Sequence, residues 1–200
     1  RNAAALWQRL GNVLRAVETE EKAAQTYEEI SILTQTIGEL QKSAEFCGKA
    51  ADSWQRIGRV DKAVELYTES AELWRRKGIL EKARETEEMA AEAYEETSIS
   101  AQKKGEFEKA ADCYEKAANQ WRRNGNESRA REAEEKAAQT YEKAGYMAKV
   151  TDRPEKAGDY YERAANLWRK TGNKLKVKEA EEKAIEAYEK NNGFLSVETN

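Results

Sequence analysis

The 200-residue chain has no histidine, a single proline (Pro154) and only two cysteines, Cys47 and Cys113. Without histidine it lacks the commonest general base and metal ligand near neutral pH. The two cysteines stand 66 positions apart with no Cys-x-x-Cys neighbour, which argues against a disulfide framework or a zinc site and for a reducing cytoplasm. No apolar run approaches the roughly 20 residues that span a bilayer, and no signal-peptide pattern opens the chain. The first residue is Arg1, so a processed or cut chain is expected. With 35 basic and 38 acidic residues the net charge is −3, without the basic excess of a general nucleic-acid binder. No phosphate-cradling Gly-rich run and no metal-ligand cluster is present. One short sequon, Asn126-Glu127-Ser128, is read as incidental in a chain without a secretory signal.

What is abundant is alanine, 32 of 200 residues, set among charged residues that make up 36%. With so few turn residues and β-branched runs, this composition reads as almost wholly helical. The tryptophans organise it. Trp7, Trp54, Trp74, Trp121 and Trp168 are separated by 47, 20, 47 and 47 residues. Residues 112–143 match 159–190 at 19 of 32 positions, and EEKAAQTYE occurs at both 20–28 and 134–142. Each Trp is followed by basic residues and then glycine (WQRIG at 54–58, WRRKG at 74–78), which marks a helix C-terminus. The pattern predicts nine helices at 2–10, 13–36, 39–57, 60–77, 80–103, 106–124, 127–150, 154–171 and 174–191. Residues 192–200 are expected as a fraying tail, Pro154 in a first helical turn, and Asp152 as an N-cap. One apolar stripe, Ala110, Tyr114, Ala117, Ala118 and Trp121, lies on a single helical face, and Ala157, Tyr161, Ala164, Ala165 and Trp168 repeat it. Stacked neighbours bury such stripes, so the expectation is an all-α, right-handed α-solenoid of about nine antiparallel helices, one domain over 1–191. Glycine breaks every 20–27 residues count against one long coiled coil.

At Gly105, Phe107, Ala110, Tyr114 and Ala117 the chain resembles the second helix of a tetratricopeptide repeat. Gly58, Ala63 and Tyr67 keep the pattern, with Val60 and Ser70 departing. Ala157, Tyr161 and Ala164 keep it again, with Asp152 and Pro154 in place of Gly and an aromatic. Tyr141, Ala144, Gly145 and Ala148 resemble the first helix, the small pair falling where helices cross. The period is 40–47 residues where that family has 34. Together with YEKAANQW (114–121) and YERAANLW (161–168), it is similar to the soluble NSF attachment proteins (SNAP), whose helical sheet is tetratricopeptide-like. The resemblance implies a non-enzymatic, cytoplasmic scaffold or adaptor without cofactor. Its partner would be another protein, offering a helical or extended segment. Nucleic acid is not expected, membrane contact would be peripheral, and self-association is possible. The alternative is a SNAP-like attachment factor in vesicle fusion and protein transport, which holds a helical SNARE-type bundle and recruits an ATPase. The sequence departs from it in lacking an acidic-leucine ending and a paired-phenylalanine loop.

Two protein-binding surfaces are candidates. In a tetratricopeptide-like solenoid the first helices line a concave groove. Their expected groove positions are Gln25, Glu28, Ile32 and Gln35; Glu92, Glu95, Ile99 and Gln102; and Gln139, Glu142, Tyr146 and Lys149. Apolar Ile32, Ile99 and Tyr146 beside acidic Glu28, Glu95 and Glu142 would suit a basic amphipathic helix; the competing reading is packing against an adjacent helix. Family members that clamp a peptide's terminal carboxylate use Lys and Asn there, where glutamates and isoleucines stand here. The second surface is a basic edge of Arg9, Arg56, Arg76, Arg123 and Lys170, each two residues after a Trp, reinforced by Arg75, Arg122 and Arg169. An acidic partner or anionic surface could meet it; the competing reading is helix-end charge complementation with arginine stems packed on Trp. Glu132/Lys136 and Glu179/Lys183 are expected as solvated i, i+4 pairs. Cys47 and Cys113, without a base beside them, read as buried structural thiols.

Overall fold

The computed structural model describes the backbone of residues 11–197 and the side chains of 11–190. Among the described residues there are eight helices and no strand. They are α1 (Val13–Thr36), α2 (Leu40–Arg56), α3 (Val60–Arg76), α4 (Leu80–Lys103), α5 (Phe107–Arg123), α6 (Glu127–Val150), α7 (Pro154–Thr171) and α8 (Lys174–Val197). The expected helix at 2–10, with Trp7 and Arg9, lies outside the described residues. Two compact units are present, one ending at Tyr94 and one beginning at Glu95, the boundary falling within α4. In the first unit α1 packs on α2 and α2 on α3. In the second, α5 packs on α6, α6 on α7 and α7 on α8. Loops of a few residues make each packed pair antiparallel.

Trp-x-x-x-Gly turns end α2, α3 and α5. Gly58, Gly78 and Gly125 take positive φ, +79°, +82° and +74°. This left-handed conformation strains any residue with a Cβ. It lets the next amide reach back to the Trp carbonyl: Arg59 N to Trp54 O and Ile79 N to Trp74 O at 2.9 Å, Asn126 N to Trp121 O at 2.8 Å. Orphan carbonyls of the last turn are thereby satisfied. At the start of α7 the structure corrects the expected cap. Asp152 does not cap the helix; it takes the left-handed conformation itself (φ 53°), where the equivalent turns carry glycine. Its carboxylate instead accepts from Lys190 Nζ at 2.9 Å. Arg153 occupies the cap position without a side-chain bond, and Pro154 opens α7, where its missing N–H costs nothing. The last helix runs to Val197, six residues past its expected end, so most of the expected tail is helical.

The predicted stripe is the core. Ala110, Tyr114, Ala117, Ala118 and Trp121 are buried, as are Ala157, Tyr161, Ala164, Ala165 and Trp168. In the second unit Tyr114, Tyr141, Leu167 and Trp168 gather around Ala111, Ala137, Ala138, Ala164, Ala165 and Ala180. Alanines let the helix backbones approach, and the aromatic rings fill the space between layers. Glycine sharpens this twice. Gly145 faces the Tyr161 ring and Gly158 the Tyr188 ring so closely that a Cβ would press on the ring, slightly at Gly145 and severely at Gly158.

Candidate functional site

The acidic groove positions are committed inside the protein. Trp54 Nε1–H donates to Glu28 Oε1 at 2.5 Å, Trp121 to Glu95 at 2.6 Å and Trp168 to Glu142 at 2.7 Å, always 26 residues apart. A lysine meets each carboxylate as well: Lys62 with Glu28 at 2.9 Å, Lys136 with Glu95 at 3.9 Å and Lys183 with Glu142 at 3.2 Å. These three glutamates tie a long helix to the Trp that closes the next short one. Each of the three carboxylates is thus already matched by an indole N–H and an ammonium. The apolar positions remain open: Ile32 is 62%, Ile99 46% and Tyr146 60% exposed. Gln25 and Gln139 are exposed and Gln35 is half-buried. Gln102 Nε2–H donates to Thr140 Oγ1 at 2.8 Å, and Lys149 Nζ to Glu186 at 2.7 Å. Glu92 is exposed and engaged in further interactions of its own.

The basic edge divides into two sets. The residue directly after Trp is spent on the helix that follows. Arg122 bonds Glu134 at 2.9 Å, Arg169 bonds Glu181 at 2.6 Å and Arg75 pairs with Glu87, each 12 residues on. Glu134 is buried, and its carboxylate holds Arg122 above the ordinary guanidinium pKa. Of the residues two past Trp, Arg56 pairs with buried Glu20. Arg76, Arg123 and Lys170 are exposed and carry no ion pair among the described residues. Arg9 lies outside the described residues. Sequence reasoning treated these cations alike, and a glutamate stands 12 residues after the members of both sets (Glu87 and Glu88, Glu134 and Glu135, Glu181 and Glu182), so only the packing separates them. Of the expected surface pairs, Glu132–Lys136 forms at 2.7 Å, but Glu179 pairs with Lys176 at 2.8 Å, because Lys183 is drawn to Glu142.

In the second unit these features converge on an open depression of about 580 Å³ between α5, α6, α7 and α8. Phe107, Tyr146, Met147, Tyr161 and Trp168 supply its apolar wall, and Lys143, Lys176 and Lys183 its charged rim. Its one carboxylate, Glu142, already accepts from Trp168 and Lys183. The site is therefore apolar and cationic. Sequence reasoning named Gln139, Glu142 and Tyr146 within it but missed the three lysines, which come from two helices 33–40 residues apart in sequence. Cys47 is buried, and desolvation first, then Glu69, pushes its thiol up to about 12. Cys113 is buried too. No cluster of potential metal ligands exists among the described residues, and none of their helices is long and apolar enough to cross a membrane.

The stacked helix pairs and their repeated Trp–Glu ties define a tetratricopeptide-like helical-repeat protein. The chain is similar to the DHF58 filament (24% identity, TM-score 0.50, covering 91% of this chain and 98% of that one). It is also similar to the de novo designed helical repeat protein DHR64 (22% identity, TM-score 0.49, covering 90% and 94%). The first of these likenesses shows the fold. No curated protein matches the chain in sequence. The family model of the soluble NSF attachment protein, SNAP, matches residues 1–111, and the chain belongs to that family.

Proposed function

We propose that the chain is a non-enzymatic, cytoplasmic adaptor that binds a segment of another protein in the depression of its second unit. One observation carries this reading. Tyr146 and Met147 stand exposed over an apolar wall whose rim is three lysines, with the only carboxylate internally neutralised. An exposed aromatic anchor in a concave apolar site is the usual centre of a binding surface. The complementary segment is a helix or extended strand with an apolar anchor flanked by carboxylates. The family membership supports a second reading, an attachment factor that holds a SNARE-type four-helix bundle and recruits an ATPase; Arg76, Arg123 and Lys170 supply exposed cations for such a bundle.

The test uses two probes, a labelled acidic amphipathic helical peptide and a preassembled SNARE-type four-helix bundle. They are titrated against the wild-type chain and against Tyr146→Asp, a change at an exposed position. Loss of at least about tenfold in peptide affinity supports the depression. Unchanged peptide affinity, or no peptide binding to the wild type, overturns it. Bundle binding that ignores Tyr146→Asp but falls in Arg76→Glu/Arg123→Glu/Lys170→Glu supports the attachment-factor reading.

A further inference from the structure

The chain holds two methionines, Met89 and Met147, and two cysteines. Both thiols are buried. In the second unit, which contains Cys113 and Met147, the thioether is therefore the sulfur side chain that solvent reaches: Met147 is 43% exposed on α6. Its position is particular. A second depression, of about 470 Å³, opens between α5, α6 and the start of α7, and Phe107 and Met147 line both it and the lysine-rimmed depression. Met147 thus belongs to the wall common to the two, next in sequence to the exposed Tyr146. Met89 lies on α4 in the first unit, is 40% exposed and lines neither depression.

A thioether suits such a wall, because it is apolar, polarisable and flexible enough to follow a partner's side chain. It is also open to two-electron oxidation. A peroxide transfers one oxygen atom to Sδ: the O–O bond breaks, an S–O bond forms, the sulfur is oxidised and the peroxide is reduced to water. The sulfoxide is polar, and covering it with an apolar anchor strips it of water. A sulfoxide reductase reverses the step with a dithiol, the oxygen leaving as water and the dithiol becoming a disulfide. We infer that Met147 is an oxidation site that regulates the depression: its sulfoxide releases the bound segment, and reduction restores binding. This rests on the adaptor reading and adds to it a control by peroxide.

The test uses the full chain, the labelled acidic amphipathic helical peptide and hydrogen peroxide, with Met147→Leu and Met89→Leu as variants. Leucine keeps the wall apolar without an oxidisable sulfur. Leu33, the residue matching Met147 by the repeat of EEKAAQTYE, is already exposed at that place in α1. Mass spectrometry of peptide fragments reads the added oxygen at each methionine. Before treatment the three proteins are expected to bind alike. After treatment the wild type and Met89→Leu lose at least about tenfold in affinity, Met147→Leu keeps its affinity, and sulfoxide reductase with dithiothreitol restores the wild type. A wild type that carries the oxygen at Met147 and still binds overturns the inference while leaving the adaptor reading in place. So does an equal loss in Met147→Leu, peroxide that oxidises Met89 but not Met147, or a loss of helical circular dichroism on oxidation, which would mean unfolding. An untreated wild type that does not bind the peptide overturns both.

Discussion

Gly158→Ala is expected to destabilise the second unit, although alanine is the better helix former. The substituted Cβ would sit 2.5 Å from Tyr188 Cζ and 2.7 Å from Cδ1, nearer still to Cε1. Carbon atoms in contact prefer about 3.5–4.0 Å, so α7 and the ring must part by roughly 1 Å. Overpacking of one methyl costs about 1–3 kcal/mol. Alanine in a helix interior recovers about 1 kcal/mol over glycine, leaving a net loss of about 0–2 kcal/mol, at the upper end for an overlap this deep. If the ring instead swings out, it gives up its hydrogen bond to Asp159, 2.9 Å in the native packing, worth about 1 kcal/mol; the loss is then of similar size. Two sister sites calibrate the reasoning. A Cβ at Gly145 meets the Tyr161 ring at 2.9 Å, a smaller overlap, so Gly145→Ala should come out near neutral. A Cβ at Gly48 finds only Ser70 Oγ, at 3.7 Å, so Gly48→Ala should stabilise by about 0.5–1 kcal/mol. Urea unfolding followed by circular dichroism gives the order Gly48→Ala, Gly145→Ala, Gly158→Ala in falling midpoint. The decisive arm is a cycle: in a Tyr188→Ala background, Gly158→Ala should turn favourable, since the obstacle is gone. A Gly158→Ala protein at least as stable as wild type, or a cost unchanged by Tyr188→Ala, refutes the packing argument.

Alkaline pH should titrate three hydrogen-bonded phenols late, buried Tyr141 and half-buried Tyr160 and Tyr188. Desolvation and then the carboxylates beside them raise Tyr141, Tyr160 and Tyr188 above the ordinary 10, Tyr160 to about 12. The neutral phenol is favoured in the fold, so the unfolded chain loses its protons first. Stability from these groups is intact below pH 10 and falls as pH rises through the folded values. Tyrosinate absorbance of the native chain that is complete before stability begins to fall would contradict this. For the cysteines, a thiol reagent at neutral pH should label neither Cys47 nor Cys113 until denaturant is added, since both are buried and Cys47 is pushed up to about 12. Rapid native labelling of Cys47 would disprove its burial.

Helices and core were legible because they depend on local chemistry. Glycine after Trp-x-x-x reports a left-handed turn wherever it stands, and the i, i+4, i+7, i+8, i+11 stripe reports one face without reference to any neighbour. The side-chain commitments were less legible, because they depend on which helix lies beside which. Glu28, Glu95 and Glu142 sit on the expected face, beside exposed Ile32, Ile99 and Tyr146, yet each is claimed by a Trp 26 residues on. Asp152 shows the same limit at a turn. As an acid before a proline it looks like an N-cap, but the chain needs a left-handed residue there, and Asp is one of the few besides glycine to accept it.

The ties also explain why the repeat tolerates helices of different lengths. Three short helices, α2, α5 and α7, close on a long helix through Trp and its glutamate 26 residues before. Trp74 closes α3, and the residue 26 before it is Gly48, inside short α2. No carboxylate can answer its indole from that position. What replaces the tie is apolar contact: Trp74 packs with Leu73, Ala44 and Ala83, and Lys82 lies 4.4 Å over its ring. The cation eight residues after Trp recurs as Lys62 over Trp54 and Arg129 over Trp121, so the ring's upper face is covered by the next helix whether or not the indole N–H is matched. A buried indole held this way gains about 0.5–2 kcal/mol from the cation, comparable to the hydrogen bond it forgoes. The Trp position can therefore recur at 20 residues as well as at 47, because its packing partners come from both neighbouring helices and only its hydrogen bond depends on a glutamate of the preceding one.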